Sequence, residues 1–280
     1  MKLARIGDPG AERPAALHDD GTWRDLSGVV GDVDGVLLGG GPAALDAVRE
    51  ALAGDLPVLE PGRFGPPVAG IGKIICIGLN YRDHAAETGA QAPAEPIVFM
   101  KAADTVVGPH DTVLVPRRST KTDWEVELAV VIGATARYLE SPDDAAAHIA
   151  GYATSNDVSE REFQIERGGQ WDKGKNCETF YPLGPWLVTA DEVADPQALR
   201  LTLSVNGESK QDGTTADMIF GVHHLVHYLS QFMVLRPGDV ISTGTPAGVG
   251  MGQGTYLTEG DVVELEIEGL GAQRQEVGQA

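Results

Sequence analysis

Two glutamates, Glu125 and Glu127, stand inside the run DWEVELAVVIG at 123–133. The residues alternating with them, Trp124, Val126, Leu128, Val130 and Ile132, are apolar. That period of two predicts a strand and puts both carboxylates on its opposite face. Residues so placed lie roughly 6–7 Å apart between Cα atoms. At a partly buried site they repel unless a cation or a base compensates them. A third carboxylate, Asp157, ends an apolar stretch in SNDVSERE at 155–162. Glu, Glu and Asp together make an all-oxygen pocket that suits a hard divalent ion, Mg2+ or Mn2+. Patterning alone also allows the solvated face of an edge strand, which is the commoner origin of Glu-x-Glu. The run DVVELEIEG at 261–269 has that look, and Glu264, Glu266 and Glu268 read as solvated.

Four other groups of residues bear on chemistry. In CIGLNYRDHAAETG at 76–89, His84 and Glu87 are three apart on a helical turn and share a face. A carboxylate beside a histidine orients it and raises its basicity, as a general base requires; an exposed His–Glu pair is the ordinary alternative. In GGQWDKGKNCETFYPLGP at 168–185, Lys175 could meet a substrate carboxylate or a developing enolate, or be a plain loop lysine. Nothing around Cys177 resembles a nucleophilic cysteine. The segment DVISTGTPAGVGMGQG at 239–254 is a strand entering a Gly-rich turn. It lacks the Gly-Lys-Ser/Thr of a P-loop and the spacing of a dinucleotide fingerprint, while Thr245 could hold a carboxylate oxygen. His223 and His227 have zinc-compatible i, i+4 spacing but no third ligand, so helix packing explains them better. No Gly-x-Ser-x-Gly elbow occurs.

The totals narrow the partners. A net charge of −20 over 280 residues argues against duplex nucleic acid and anionic membranes. An anionic metabolite remains admissible, held by a metal and a few basic side chains. Two cysteines, Cys76 and Cys177, point to a reducing compartment. With no signal-peptide pattern and no 18-residue apolar window, a cytoplasmic protein is expected.

The elements that must position these residues fall into two parts. Residues 1–56 read as a small α+β unit: a strand at MKLARIG, a hairpin around Asp20-Gly21 and a helix over 42–54. Residues 57–70 are Pro- and Gly-rich and read as a linker. From 71 to 280 the chain reads as one β-rich domain, with strands at KIICIGLN, IVFMK, LRLTLSVNGES, DVISTG and DVVELEIEGLG. Helices are expected at DHAAETG, at SPDDAAAHIAGY (141–152) and, longest, at 217–233, and SERE at 159–162 reads as a capping box. Strands and helices do not alternate strictly, which predicts a mixed α+β architecture rather than a doubly wound sheet.

Taken together and in order, Gly-x-Asn-Tyr-x-x-His-x-x-Glu, Glu-x-Glu, Asn-Asp-Val-Ser, Gly-Lys before Pro-x-Gly-Pro, and Thr-Gly-Thr-Pro-x-Gly-Val resemble the fumarylacetoacetate hydrolase family over about residues 71–280. The resemblance implies a β-roll-like catalytic domain with a smaller N-terminal domain, in a homodimer. It implies that Glu125, Glu127 and Asp157 are metal ligands for Mg2+ or Mn2+. It casts His84 and Glu87 as a catalytic dyad on a segment that orders over substrate, and Lys175 as the active-site lysine. Gln164 and Thr245 match substrate-contacting positions, with Arg82 a weaker one. Within the family, TKTDWEVELAVVIG, ERGGQWDKGK and STGTPAGVGMGQ look most like hydrolases of 2,4-diketo-3-deoxy sugar acids of the rhamnonate and fuconate type. Proteins of this look also carry the names ureidoglycolate lyase and hydroxyheptadienedioate isomerase. The implied reaction is hydrolysis of the C3–C4 bond of an acylpyruvate to pyruvate and an acid such as lactate. Decarboxylation, lysis or isomerisation on the same scaffold are the alternatives.

Overall fold

The computed structural model describes residues 1–87, 89 and 91–280. In the first half the strands are β1 (Lys2–Ile6), β2 (Arg13–Leu17), β3 (Trp23–Asp25), β4 (Val58–Leu59), β5 (Ile74–Gly78), β6 (Ile97–Lys101), β7 (Val106–Val107), β8 (Val113–Val115), β9 (Thr122–Asp123) and β10 (Val126–Ile132). The second half adds β11 (Ile149–Asn156), β12 (Ser159–Glu160), β13 (Tyr181–Pro182), β14 (Leu187–Thr189), β15 (Arg200–Val205), β16 (Glu208–Thr214), β17 (Val240–Ser242), β18 (Val262–Ile267) and β19 (Gly271–Gln279). The helices are α1 (Gly35–Gly39), α2 (Gly41–Leu52), α3 (Arg82–Glu87), α4 (Asp172–Lys175), α5 (Val222–Ser230) and α6 (Gly250–Gln253).

Ten strands form one mixed sheet in the order β4-β3-β2-β1-β14-β11-β10-β17-β5-β6. Five more form a second, β16-β15-β18-β19-β8. The alternation in β10 decides where its two faces go. Trp124, Val126, Leu128, Val130 and Ile132 enter the main core between the two sheets, with Leu201, Leu203, Val263 and Leu265 opposite and α5 alongside. Ala129 and Val131 enter a second core under α1 and α2. The strand is buried on both faces, which is why its apolar content is nearly continuous. Glu125 and Glu127 occupy the stretch of the second face that opens into a cavity. On β18, Glu264 and Glu266 are exposed, as is Glu268 just beyond it.

The N-terminal strand, hairpin and helix form as the sequence predicts, with Leu17 paired to Trp23 across the Asp20-Gly21 turn. These strands extend the same sheet as the rest of the chain, because β1 pairs antiparallel with β14.

Three local expectations are corrected. Over 141–152, Ser141 caps as expected, but the helix is a 3-10 turn ending at His148. Ile149 onward is instead β11, drawn into the ladder with β10. SERE forms no capping box: Ser159 and Glu160 pair with β9, and Ser159 donates to the Asp157 carbonyl. The helix expected over 217–233 is limited to the nine residues of α5 and is shorter than α2, because the chain before Gly221 is tied by Ile219 and Phe220 N–H groups to Asn80. For DHAAETG, Arg82–Glu87 is helical, while Thr88 lies outside the described residues. Among the described residues no helix is long and apolar enough to cross a membrane.

Candidate active site

Glu125 precedes β10, Glu127 lies within it, and Asp157 follows β11, the strand paired to β10. A hydrogen bond from the Asp157 N–H to the Glu125 carbonyl, 3.0 Å long, continues that ladder and brings the third carboxylate to the first two. All three are buried, and one oxygen of each lies within 4.8 Å of the others. The donors are carboxylate oxygens alone, which fits Mg2+ or Mn2+ rather than a softer metal.

Three buried carboxylates require compensation, and the fold supplies three cations. Lys175 at the end of α4 donates to Glu125 Oε2 at 2.6 Å and to Asp157 Oδ2 at 2.7 Å. Lys101 at the end of β6 donates to Asp157 Oδ1 at 2.6 Å and to the Val158 carbonyl at 2.8 Å. Arg161 donates to Glu125 Oε1 at 2.7 Å, to Gln164 Oε1 at 3.0 Å and to Asp123 Oδ2 at 2.7 Å. Asp123 in turn accepts from the Gly250 and Met251 N–H groups of α6. Among the described residues no cation pairs directly with Glu127; Ser242 Oγ donates to it at 2.6 Å and the Gly244 N–H at 2.9 Å.

These environments push the groups apart. Burial raises the Glu125 carboxyl, but Arg161 and Lys175 outweigh it and hold it well below the usual carboxylate range. Burial, then the charges of Asp157 and Glu125, push Glu127 well above that range. Burial opposes the Lys175 charge, yet Asp157 and Glu125 prevail and keep it an ammonium. At Lys101 burial wins over Asp157 and lowers the pKa.

A cavity of about 190 Å3 opens on this cluster, lined by His84, Glu125, Glu127, Gln164, Lys175 and Thr245 among others. His84 Nδ1 lies 3.3 Å from Glu87 Oε2. Glu87 is held by the Gly248 N–H at 3.1 Å, so the Gly-rich turn after β17 fixes the pair from outside. Thr245 donates to the Val126 carbonyl and accepts from Gln211, which anchors it beside the cavity.

The structure thus brings together eight of the nine residues singled out from sequence. Arg82 stands apart: its guanidinium donates to the Met218 carbonyl at 2.9 Å and does not line the cavity. Burial pushes the Cys177 thiol up to about 11, away from the thiolate that a nucleophilic cysteine uses. Among the described residues no third ligand joins His223 and His227. Sequence reasoning missed Lys101, Arg161 and Asp123. Lys101 closes the apolar strand IVFMK, and Arg161 lies four residues after Asp157; neither position signals burial by itself.

Comparison with known proteins finds relatives along the whole chain. The family model for the fumarylacetoacetate (FAA) hydrolase C-terminal region matches residues 73–278. A 2,4-didehydro-3-deoxy-L-rhamnonate hydrolase from Sphingomonas sp. (strain SKA58) is 51% identical over 283 residues, covering 100% of this chain and 96% of that protein. The solved structure of fumarylacetoacetate hydrolase from Exiguobacterium antarcticum superposes with a TM-score of 0.86 at 34% identity, covering 100% of both chains. The crystal structure of 5-carboxymethyl-2-hydroxymuconate delta-isomerase from Mycobacterium smegmatis does so with a TM-score of 0.80 at 32% identity, covering 100% of this chain and 99% of that one. With that family model matching residues 73–278, well over half of its length, the chain belongs to the fumarylacetoacetate hydrolase family.

Proposed function

We propose that this protein is a divalent-metal-dependent hydrolase that cleaves the C3–C4 bond of a 2,4-dioxo acid, a 2,4-diketo-3-deoxy sugar acid, to pyruvate and a second carboxylic acid such as lactate. The observation that carries this reading is one small cavity lined by His84, which pairs with Glu87, and by Glu125 and Glu127, which cluster with the buried Asp157. The relative at 51% identity, named as a hydrolase of a 2,4-didehydro-3-deoxy sugar acid, points to the substrate class.

Mg2+ or Mn2+ held by Glu125, Glu127 and Asp157 would supply Lewis acidity at the substrate carboxylate and C2 oxygen. With Nδ1 turned to Glu87, His84 takes a proton from water at Nε2. The hydroxide adds to the C4 carbonyl carbon. The C3–C4 bond then breaks, and its electron pair passes to the enolate of pyruvate. Lys175, kept charged by its two carboxylates, stabilises the negative charge that develops there. The imidazolium returns its proton to C3, so that one water is consumed for each bond cleaved. Gln164 and Thr245 orient the substrate oxygens.

The similarity to an isomerase favours a second reading, in which His84 removes a proton from a carbon of the intact substrate and the resulting enolate takes it back at another carbon, with no C–C bond broken. Pyruvate release separates the two. Metal-loaded protein offered a panel of 2,4-dioxo acids, with pyruvate followed by coupled NADH oxidation, is expected to turn over at least one of them, and Glu125→Ala to abolish the rate. Release of no pyruvate from any member overturns the hydrolase reading.

A further inference from the structure

The active-site cavity ends on two aromatic rings. Phe99 of β6 and Trp171, the residue before α4, line it. Both also line a wider groove of about 920 Å3. The two rings meet edge to face, 5.4 Å apart between centroids. Trp171 lies against Gly78, where an added Cβ would come within 2.5 Å of Cζ3 and 2.9 Å of Cη2. A rigid indole backed by Phe99 has little room to give, so its seat depends on residue 78 having no side chain. Leu79, Ile165 and Met251 add apolar surface to the lining, and the Lys175 ammonium lies 4.9 Å from the Phe99 ring centroid. The cations that line the cavity, Arg161 and Lys175, are both engaged by carboxylates.

We infer that the Phe99–Trp171 wall is the specificity determinant for the substrate's tail beyond C4, restricting it to short, uncharged groups. This rests on the reading above that the substrate is a 2,4-dioxo acid. The polar end of such a molecule belongs with Lys175 and the carboxylate trio. Its acyl tail then points toward the apolar part of the lining, and Phe99 and Trp171 are the residues that line both the cavity and the groove. A tail longer than the cavity meets the indole. A charged tail finds no uncommitted cation among the lining residues. Truncating Trp171 joins cavity and groove, so that a longer tail gains a place to lie.

The test compares the holoenzyme loaded with Mn2+ with Trp171→Ala, and with Trp171→Leu in case the smaller side chain impairs folding. Acetylpyruvate and 2,4-dioxodecanoate, which differ only in tail length, serve as substrates. The ratio of kcat/KM for the long tail over the short one is expected to rise at least about 10-fold in either variant, since each buried CH2 contributes appreciably to binding. In parallel, calorimetry with oxamate and N-hexyloxamate reads the same ratio without turnover. An unchanged ratio in both measurements overturns the inference, as does a wild type that accepts the hexyl compounds as readily as the short ones. Failure of the wild type to hydrolyse either dioxo acid, with the oxamate ratio still shifting about 10-fold, would sink the proposed reaction and leave the wall standing. Absence of oxamate binding to the wild type would sink both.

Discussion

Lys101→Met should destabilise the folded protein far more than loss of an ordinary lysine. The Lys101 and Asp157 side chains are both 0% exposed. Removing the ammonium strips a donor from Asp157 Oδ1 and another from the Val158 carbonyl, in a place water does not reach. Breaking a buried ion pair in this way costs about 3–5 kcal/mol. Lys175 still holds Asp157 Oδ2, and Met fits the space beside the Phe180 ring, so the lower end applies, about 3 kcal/mol. For a protein whose total stability is of order 5–15 kcal/mol, that is a substantial share. At about 2–4 °C per kcal/mol it lowers Tm by about 6–12 °C. Differential scanning calorimetry in a chelator, with no divalent ion to take over the compensation, is the assay. The double variant Lys101→Met, Asp157→Asn should be less destabilised than the sum of its parts, because the second change removes the charge that the first one left with Lys175 alone. A single variant melting within about 2 °C of wild type would refute the claim that Lys101 compensates the site.

Other outcomes follow from the same contacts. Glu87→Gln keeps the shape and a partner for the Gly248 N–H but removes the charge beside His84; kcat/KM should fall by about 10²–10⁴ with the Mn2+ affinity unchanged. Asn176 donates to the Met100 carbonyl and accepts from the Ala102 N–H, so it grips β6 on both sides of Lys101 while following Lys175 in the chain. Asn176→Leu should therefore loosen both lysines and lower kcat by about 10–100-fold, read by steady-state kinetics. Burial raises the Asp111 carboxyl, but Arg63 and the Gly108 N–H overcome it and hold it below 3.8. Because the unfolded state then binds the extra proton, this stabilisation is full above the ordinary carboxyl range and fades as pH falls through the lower folded-state value. The difference in urea midpoint between wild type and Arg63→Met should thus be largest at neutral pH and shrink on acidification.

Much of the site could be read from residue order because its parts are local. Glu125 and Glu127 share a strand face by period alone, and His84 and Glu87 share a helical turn. What escaped the reading depends on chain segments far apart. Lys101 is buried because Asp157 meets it from 56 residues away, and Arg161 because Asp123 does so from 38. An isolated lysine at a strand end or an arginine in SERE looks solvated until the partner is in place. The secondary-structure corrections have the same source. Residues 149–152 carry helix-like spacing, yet Ile149 onward gains a full ladder with β10 and two buried faces, which local propensity cannot match. Ser159 had a capping partner in sequence but found a strand partner in space.

The central claim is that the carboxylate trio and the His–Glu pair direct water onto C4 of a 2,4-dioxo acid. Turnover of 2,4-didehydro-3-deoxy-L-rhamnonate in 18O-labelled water, with mass spectrometry of the products, tests it most directly. The account predicts equimolar pyruvate and lactate, with one 18O in the lactate carboxylate. Carbon dioxide release, an isomerised six-carbon acid, or lactate without label in its carboxylate would contradict it.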